Sequence, residues 1–121
     1  MPSPKRRIGD VGEEVAVNYL VRRGYVVLER NYWKPWGEID IVAKKGSILS
    51  FIEVKSISRG TLRPEENMHP AKLRRLHRAV QTYLLDRKVR ETQEWQIDLV
   101  CVLLNFDTHK AKVELIENIV L

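Results

Sequence analysis

The chain has 121 residues, of which 44% are hydrophobic and 31% are charged, with a formal net charge of +5; this predicts a single domain and excludes a disordered chain. A single cysteine, Cys101, excludes an internal disulfide, and no cysteine or histidine spacing typical of zinc sites is present. The longest apolar run, Leu99–Leu104, is too short to span a membrane, so we expect no membrane partner. Met1–Asp10 lacks the apolar region of a signal peptide, and we therefore expect a cytoplasmic protein.

The first predicted element is a helix that begins at Asp10, after a basic arm over Met1–Arg7 that we expect to be mobile. Asp10 and Glu13 have the spacing of a capping box, and Gly24 is a typical residue just beyond a helix end. Glu13 shares one helix face with three apolar residues, Ala16, Val17 and Leu20. Its carboxylate therefore points toward apolar surroundings, where it either serves only as a cap or joins a polar site.

The next residues predict a strand over Tyr25–Tyr32, followed by a loop over Trp33–Trp36. Two tryptophans beside a lysine and a proline in this loop allow two roles: closing over an edge of the core, or stacking on nucleic-acid bases. We favour packing, because loop tryptophans are more often structural.

Two short strands, over Glu38–Ala43 and Ile48–Lys55, are predicted to form a hairpin with its turn near Lys45-Gly46. Strict alternation gives the hairpin two different faces. The polar face carries Glu38, Asp40, Glu53 and Lys55, and the apolar face carries Ile39, Ile41, Ile52 and Val54. A two-residue loop at Lys45-Gly46 would set Glu38 opposite Glu53, whereas a four-residue loop would set Asp40 opposite Glu53 on the same face.

The three carboxylates and one ammonium on this polar face allow two interpretations. Like charges opposite each other destabilise a sheet. The face is therefore either solvated, with Lys55 neutralising a carboxylate, or it binds a divalent metal ion through hard oxygen ligands. The apolar neighbours favour the metal site, because unpaired charge among apolar residues is costly.

Positive charge is concentrated directly after the hairpin, since residues 59–90 carry nine basic and three acidic side chains. An irregular loop is predicted over Ser56–His69, and a helix over Pro70–Arg87. Lys72 lies at the margin of the apolar helix stripe, where it either snorkels over the core or reaches a neighbouring site. The opposite helix face carries Arg74, Arg75 and Arg78. Such a segment is typical of a surface that binds a polyanion, although basic helices are also common solvated surfaces.

Two more strands complete the chain. Trp95–Phe106 is nearly continuous in apolar residues, which is typical of a strand buried on both faces, and Asp98 within it requires a polar partner. Ala111–Val120 alternates in hydrophobicity and predicts an edge strand. The order of helix, three strands, helix and two strands predicts an α/β domain with a mixed central sheet flanked by helices.

Several motifs, in this order, resemble a small bacterial family, UPF0102 or YraN. They are Gly12-Glu13, Gly24-Tyr25, Arg30-Asn31, Gly37-Glu38-Ile39-Asp40 and Phe51-Ile52-Glu53-Val54-Lys55. Asp40 followed by Glu53-Val54-Lys55 also resembles the D…(E)xK signature of PD-(D/E)xK nucleases, the restriction-endonuclease-like superfamily. The resemblance implies a restriction-endonuclease-like fold and a metal-dependent endonuclease acting on DNA. Similarity to archaeal Holliday-junction resolvases implies branched DNA as a candidate substrate and a homodimer, which would place two active sites on one junction.

The resemblance also implies a role for each residue of the signature. Asp40, Glu53 and the Val54 carbonyl would hold Mg²⁺ or Mn²⁺. The bound ion would acidify the water molecule that attacks the phosphorus. Lys55 would orient that water and offset the negative charge that builds up on the phosphate.

Other residues would assist or bind the substrate. Glu13 matches a first-helix glutamate that often completes the acidic site, and Glu38 would support it. The DNA phosphates would be bound by Lys72, Arg74, Arg75, Arg78, Arg59 and Arg63. The family tends to place an arginine two residues before Asp98, but Gln96 stands there in this chain, so the role of that pair is not carried over.

Two hypotheses from other functional classes remain open. The same fold could be a nucleic-acid-binding module with weak or no cleavage, for which mutating Arg75 and Arg78 would matter more than mutating Asp40. A protein–protein adaptor with a charged surface would show no salt-sensitive DNA binding, but it leaves the clustered carboxylates unexplained.

Overall fold

The computed structural model describes residues 3–61 and 69–119. Its elements along the chain are α1 (Pro4–Arg22), β1 (Val26–Lys34), β2 (Gly37–Lys45), β3 (Ile48–Ile57), α2 (Pro70–Asp86), β4 (Glu94–Asn105) and β5 (Lys110–Ile116). The predicted order of helices and strands is confirmed. Within the described residues, neither helix is long and apolar enough to cross a membrane.

The five strands of the described residues form one sheet in the order β1-β2-β3-β4-β5. Neighbouring strands are antiparallel except for β3 and β4, which run parallel. Parallel neighbours need a crossover connection, and α2 lies in the connection between these two strands. The prediction of an α/β fold with a mixed central sheet is confirmed, and this arrangement is consistent with a restriction-endonuclease-like fold.

The two helices cover opposite faces of the sheet, each over its own hydrophobic core. The core under α1 contains Ala16, Leu20, Ile41, Ile52 and Val100. The core under α2 contains Leu76, Ala79, Val80, Tyr83, Phe51 and Ile97. Consecutive residues of β3 and of β4 thus alternate between the two cores. Both strands are buried on both faces, as the apolar run of β4 predicted.

The start of α1 differs from the prediction. Ser3 is the N-cap, with its hydroxyl accepting a hydrogen bond from the Arg6 N–H at 3.2 Å, and Pro4 opens the helix. The prediction that the helix begins at Asp10 is wrong, because a serine before a proline is itself a start signal and lies seven residues earlier. The predicted end is confirmed by Gly24, whose φ of +93° is the left-handed conformation that glycine adopts easily.

The hairpin has the register that sets Asp40 opposite Glu53. Its turn is Gly46-Ser47, closed by the pair Lys45 and Ile48, and the ladder continues to Ile41 and Ile52. The turn expected at Lys45-Gly46 is therefore wrong by one residue, which shifts the partner of every β2 residue by two positions. Gly46 has a φ of +59°, which suits the first residue of a tight hairpin turn. The next pair along the ladder would be Asp40 and Glu53, beyond the last hydrogen-bonded rung.

Strict alternation, which was predicted for the whole hairpin, breaks at Asp40. Ile39 is buried in the core under α2, whereas Ile41 is buried in the core under α1. The prediction that these two side chains share a face is wrong. The physical reason is a local kink, since Asn31 in the adjacent β1 has a φ of +54° between the rungs on either side of it. The kink leaves Asp40 out of the regular ladder.

Several boundaries also moved. Trp33 and Lys34 belong to β1, so that the connection to β2 is shorter than the predicted loop over Trp33–Trp36. β3 continues to Ile57, two residues beyond the predicted end. β5 ends at Ile116, and the predicted end of that strand at Val120 lies outside the described residues.

Gly37 is a point of close approach between α2 and the sheet. A Cβ placed on Gly37 would collide with the Arg75 carbonyl oxygen and lie 3.3 Å from Ala79 Cβ. We expect Gly37→Ala to lower the free energy of unfolding by about 1–3 kcal/mol, because backbone must move to relieve the overlap. Urea denaturation measures the loss. Gly9→Ala is the matched control: no atom lies within 4 Å of the added Cβ, and a mid-helix alanine should stabilise the protein. Equal stability of the parent and Gly37→Ala would contradict this packing.

Candidate active site

A cleft of about 520 Å³ opens where α1, β2, β3 and the first turn of α2 meet. It is lined by acidic, basic and small polar residues: Lys5, Arg6, Gly9, Asp10, Glu13, Asn31, Glu38, Asp40, Val54, Lys55, Ser56 and Lys72. Six residues predicted from the sequence to belong to the site are among them, namely Glu13, Glu38, Asp40, Val54, Lys55 and Lys72. Elements from both halves of the chain thus build one pocket.

Asp40 is held by the backbone of β3. Its Oδ2 accepts a hydrogen bond from the Val54 N–H at 2.7 Å, taking the place of a rung where the β2–β3 ladder has ended. The N–H and C=O of one strand residue point toward the same side. The Val54 carbonyl therefore also points away from β4 and toward Asp40, which is the direction required of a cation ligand.

The carboxyl group of Asp40 is partly buried and lies near other carboxyl groups. The pKa of Asp40 is raised to about 8, mainly by burial and then by repulsion from Glu53 and, to a smaller extent, from Glu38 and Glu13. The hydrogen bond from the Val54 N–H opposes this shift. At neutral pH and without a cation the group therefore retains its proton, and a cation beside it would favour the ionised form.

Glu53 has a partner from α2. The Lys72 Nζ lies 2.8 Å from the Glu53 Oε1, and the Glu53 side chain is only 15% exposed. Lys72 therefore reaches into the cleft from the first turn of α2, which is one of the two positions expected for it. This ion pair engages one carboxylate oxygen of Glu53.

Glu13 is anchored by β1. Its Oε1 accepts hydrogen bonds from Arg30 Nε and Asn31 Nδ2, both at 3.1 Å. The capping role considered for Glu13 is wrong, because α1 begins nine residues earlier at Pro4. Glu38 is more exposed, and burial followed by repulsion from Glu53 and Glu13 raises its pKa.

The oxygen atoms of Asp40, Glu53 and the Val54 carbonyl are of the type that binds a hard divalent ion, which keeps several water molecules. Among residues 3–61 and 69–119, no three Asp, Glu, His or Cys side chains lie close enough together to hold a metal ion by themselves. Mg²⁺ does not require three, because it usually binds one or two carboxylates and completes its octahedron with water and substrate phosphate oxygens. Asp40, Glu53 and the Val54 carbonyl therefore fit Mg²⁺ or Mn²⁺.

Comparison with known proteins places the chain. The family model described as "Uncharacterised protein family UPF0102" matches residues 12–102. The chain belongs to the UPF0102 family. It is 37% identical over 120 residues to a UPF0102 protein of Clostridium tetani, covering 98% of this chain and 97% of that protein. It is also 37% identical over 116 residues to a UPF0102 protein of Wolinella succinogenes, covering 96% and 98% of the two chains.

In this UPF0102 chain the predicted phosphate-binding residues are not all in one place. Arg74 and Arg75 are exposed on α2, and the Arg78 guanidinium lies 4.8 Å from the centre of the Trp36 ring. Arg59 lines a separate cavity of about 430 Å³ between the end of β3 and the β4–β5 turn. Arg63 lies outside the described residues. Of the predicted basic residues that the structure describes, only Lys72 lines the acidic cleft.

Sequence reasoning missed two basic residues of the UPF0102 cleft, Lys5 and Arg6. Both were assigned to the arm before the first helix, and the extra turns of α1 bring them to the site instead. The signal that could have found them is Ser3 followed by Pro4, a helix start that makes the basic cluster part of the helix.

Asp98 has a structural environment of its own. It is fully buried in β4, and its Oδ1 accepts hydrogen bonds from Gln96 Nε2 at 2.9 Å and the Asn118 N–H at 2.8 Å. Burial raises the pKa of Asp98, and these hydrogen bonds oppose the rise. The polar partner that the sequence required is thus supplied by Gln96 and by the segment after β5. Asp98 is not among the residues that line the acidic cleft.

Proposed function

We propose that this chain is a metal-dependent endonuclease that hydrolyses phosphodiester bonds of DNA, with branched DNA among its candidate substrates. The observation that carries the proposal is the placement of Asp40 and Glu53 on facing strands, just beyond the last rung of the β2–β3 ladder. Lys55 lines the cleft together with Asp40, and Glu53 adjoins it through the ion pair with Lys72. Two acids and an ammonium at one partly buried cleft can position a cation and a phosphate together.

Each group has a distinct task in this mechanism. A divalent ion held by Asp40, Glu53 and the Val54 carbonyl would lower the pKa of a water molecule and polarise the scissile phosphate. The Lys55 ammonium is suited to orient the attacking water and to offset negative charge on the phosphate oxygens. The water oxygen forms a bond to phosphorus while one ester P–O bond breaks. The leaving oxygen takes up a proton, so that the products are an alcohol and a phosphate monoester.

The charge around the cleft supports a polyanionic substrate. Lys5 and Arg6 approach the acids from the first turn of α1, and Lys72 approaches them from the first turn of α2. Arg74 and Arg75 extend this positive surface along the exposed side of α2. Because these cations come from two helices on different sides of the acids, a nucleic-acid backbone could be held on both sides of the phosphate to be cut.

The test is a cleavage assay on a panel of DNA substrates. Supercoiled plasmid, a single strand and a four-way junction are incubated with Mg²⁺, with Mn²⁺ or with a chelator. We expect cleavage of at least one substrate that needs the metal ion and is lost in Asp40→Asn. If no substrate is cut with either ion, or if Asp40→Asn cuts as the parent does, the proposal is wrong.

One observation favours a second candidate function, a nucleic-acid-binding module with weak or no cleavage. The Lys72 ammonium already lies 2.8 Å from Glu53, where it competes with a metal ion for that carboxylate. In that case Arg75→Ala and Arg78→Ala should weaken DNA binding and reduce its salt dependence, each removed phosphate contact lowering the slope of log K against log salt by roughly 0.9. Asp40→Asn should then bind like the parent. Filter binding at several salt concentrations, with and without Mg²⁺, separates the two functions.

A further inference from the structure

The two tryptophans around Pro35 have separate environments. Trp36 packs on α2, since its Nε1 donates a hydrogen bond to Thr82 Oγ1 at 3.1 Å and Arg78 lies over its ring. Trp33 lies in β1 and is 65% exposed. The favoured prediction of packing therefore holds for Trp36 and is wrong for Trp33. Such a large exposed fraction is unusual for a tryptophan, because this residue is highly buried on average.

Trp33 stands beside the acidic cleft. It pairs with Glu38 across β1 and β2, and paired residues of antiparallel strands point to the same face with Cβ atoms about 4.5–5.5 Å apart. Glu38 lines the cleft. Tyr32 and Lys34, on either side of Trp33, point to the other face, where Tyr32 Oη donates a hydrogen bond to Asp86 and Lys34 Nζ lies 3.4 Å from it. The exposed indole is thus next to Glu38, at the edge of the cleft that Glu38 lines.

We propose that Trp33 is a stacking platform for an unpaired base next to the phosphate held in the cleft. This inference rests on the proposed function and narrows its substrate class to DNA with unpaired nucleotides at the cleavage point. Every base has a π face that an indole can cover, and such stacking does not depend on sequence. In a continuous paired duplex these faces are already stacked on neighbouring bases. A single strand, a gap or the crossover of a junction leaves them available.

The basic surroundings support a nucleic-acid ligand over a protein partner for this indole. Lys5, Arg6 and Lys72 line the adjoining cleft and supply the backbone contacts that a stacked nucleotide requires. Stacking platforms in proteins that bind single strands combine such a positively charged groove with exposed aromatic side chains. Both components lie on neighbouring elements here.

The experiment measures binding without metal, so that no substrate is consumed. Parent protein is titrated with a short oligo(dT), a blunt duplex and the same duplex with a short single-stranded gap. We expect the oligo(dT) and the gapped duplex to quench the intrinsic tryptophan fluorescence, and Trp33→Ala to remove most of that quenching. Trp33→Ala should bind them about 5- to 100-fold more weakly and bind the blunt duplex as the parent does.

Two further variants control the experiment. Trp33→Phe keeps an aromatic face and should retain most of the affinity for oligo(dT). Leu85→Ala removes another highly exposed apolar side chain, 81% exposed near the C-terminal end of α2, and should bind every probe like the parent. An equal loss of affinity for all three probes, no loss for any, or a changed oligomeric state with unchanged DNA binding would each overturn the stacking role.

The outcomes separate this inference from the proposed nuclease. If the gapped duplex quenches Trp33 but no substrate is ever cut, the stacking role stands and the nuclease falls. If cleavage depends on Asp40 but Trp33→Ala cuts gapped and blunt duplexes in the same ratio as the parent, the nuclease stands and the stacking role falls. If the chain binds no nucleic acid, both fall.

Discussion

Replacing Asp40 by asparagine is expected to lower metal-dependent cleavage by at least about 100-fold while leaving the fold intact. Each 1.4 kcal/mol lost from transition-state stabilisation is a factor of about ten in rate, and a metal ion supplies several kcal/mol. The asparagine side-chain oxygen can still accept the hydrogen bond from the Val54 N–H. The change therefore removes the negative charge from the cleft but keeps the contact that positions the side chain.

Lys55→Ala should cause a loss of about 10²–10³-fold, the usual range for removing one group that stabilises negative charge in the transition state. Initial rates on the best substrate, at saturating metal ion, measure both effects. Matched controls are Glu114→Gln and Lys112→Ala, which remove the same charges from exposed positions of β5. Parent-like rates in both Asp40→Asn and Lys55→Ala, or equal losses in the controls, would contradict the assigned roles.

The order of the elements was predictable from the sequence, and so were several of the residues that line the cleft, among them Glu13, Asp40 and Lys55. Strand and helix periods differ, so that the apolar stripe of α2 and the continuous apolar run of β4 could be distinguished directly. Asp40, Glu53 and Lys55 needed only local pairing across a short turn, together with a resemblance to known motifs. Local chemistry of this kind is visible in one sequence because neighbours in the chain become neighbours in the fold.

The features that could not be predicted depend on contacts between distant segments. The Asp40 side chain replaces a rung of the ladder by bonding to the Val54 N–H, at the position where the kink breaks the alternation between Ile39 and Ile41. No local sequence pattern predicts such a kink. The anchoring of Glu13 by Arg30 and Asn31 likewise requires α1 and β1 to be packed together. Part of the residue content of the cleft could be predicted from the sequence, whereas its geometry could not.

The raised pKa of Asp40 is expected to make the stability of the protein depend strongly on pH. The pKa of Asp40 is about 8 in the folded protein, and an unfolded aspartate has a pKa of roughly 3.9. The folded state therefore binds one more proton than the unfolded state throughout the interval between these two values. Stability must fall as pH rises through that interval, and the contribution of Asp40 is fully present only below it.

Asp40 is expected to contribute a fall in unfolding free energy on the order of 1 kcal/mol per pH unit between roughly pH 4.5 and 7.5. The pKa values of Glu38 and Asp98 are also raised, and both groups act in the same direction. Asp40→Asn should remove the Asp40 share of the slope. The variant should match the parent near pH 4.5 and exceed it in stability by several kcal/mol near pH 8. Urea unfolding at four pH values measures both curves.

The same unfolding measurement in the presence of metal ions tests whether Asp40 binds a cation. A divalent ion bound by Asp40 favours its ionised form, so millimolar Mg²⁺ or Mn²⁺ should stabilise the parent more at pH 8 than at pH 5 and flatten its slope. The ion should have little effect on Asp40→Asn, whereas Asp107→Asn, in the exposed β4–β5 turn, should respond like the parent. Parallel curves for the parent and Asp40→Asn would mean that the carboxyl group is already ionised at neutral pH. Ionisation of Asp40 would then not depend on a bound cation.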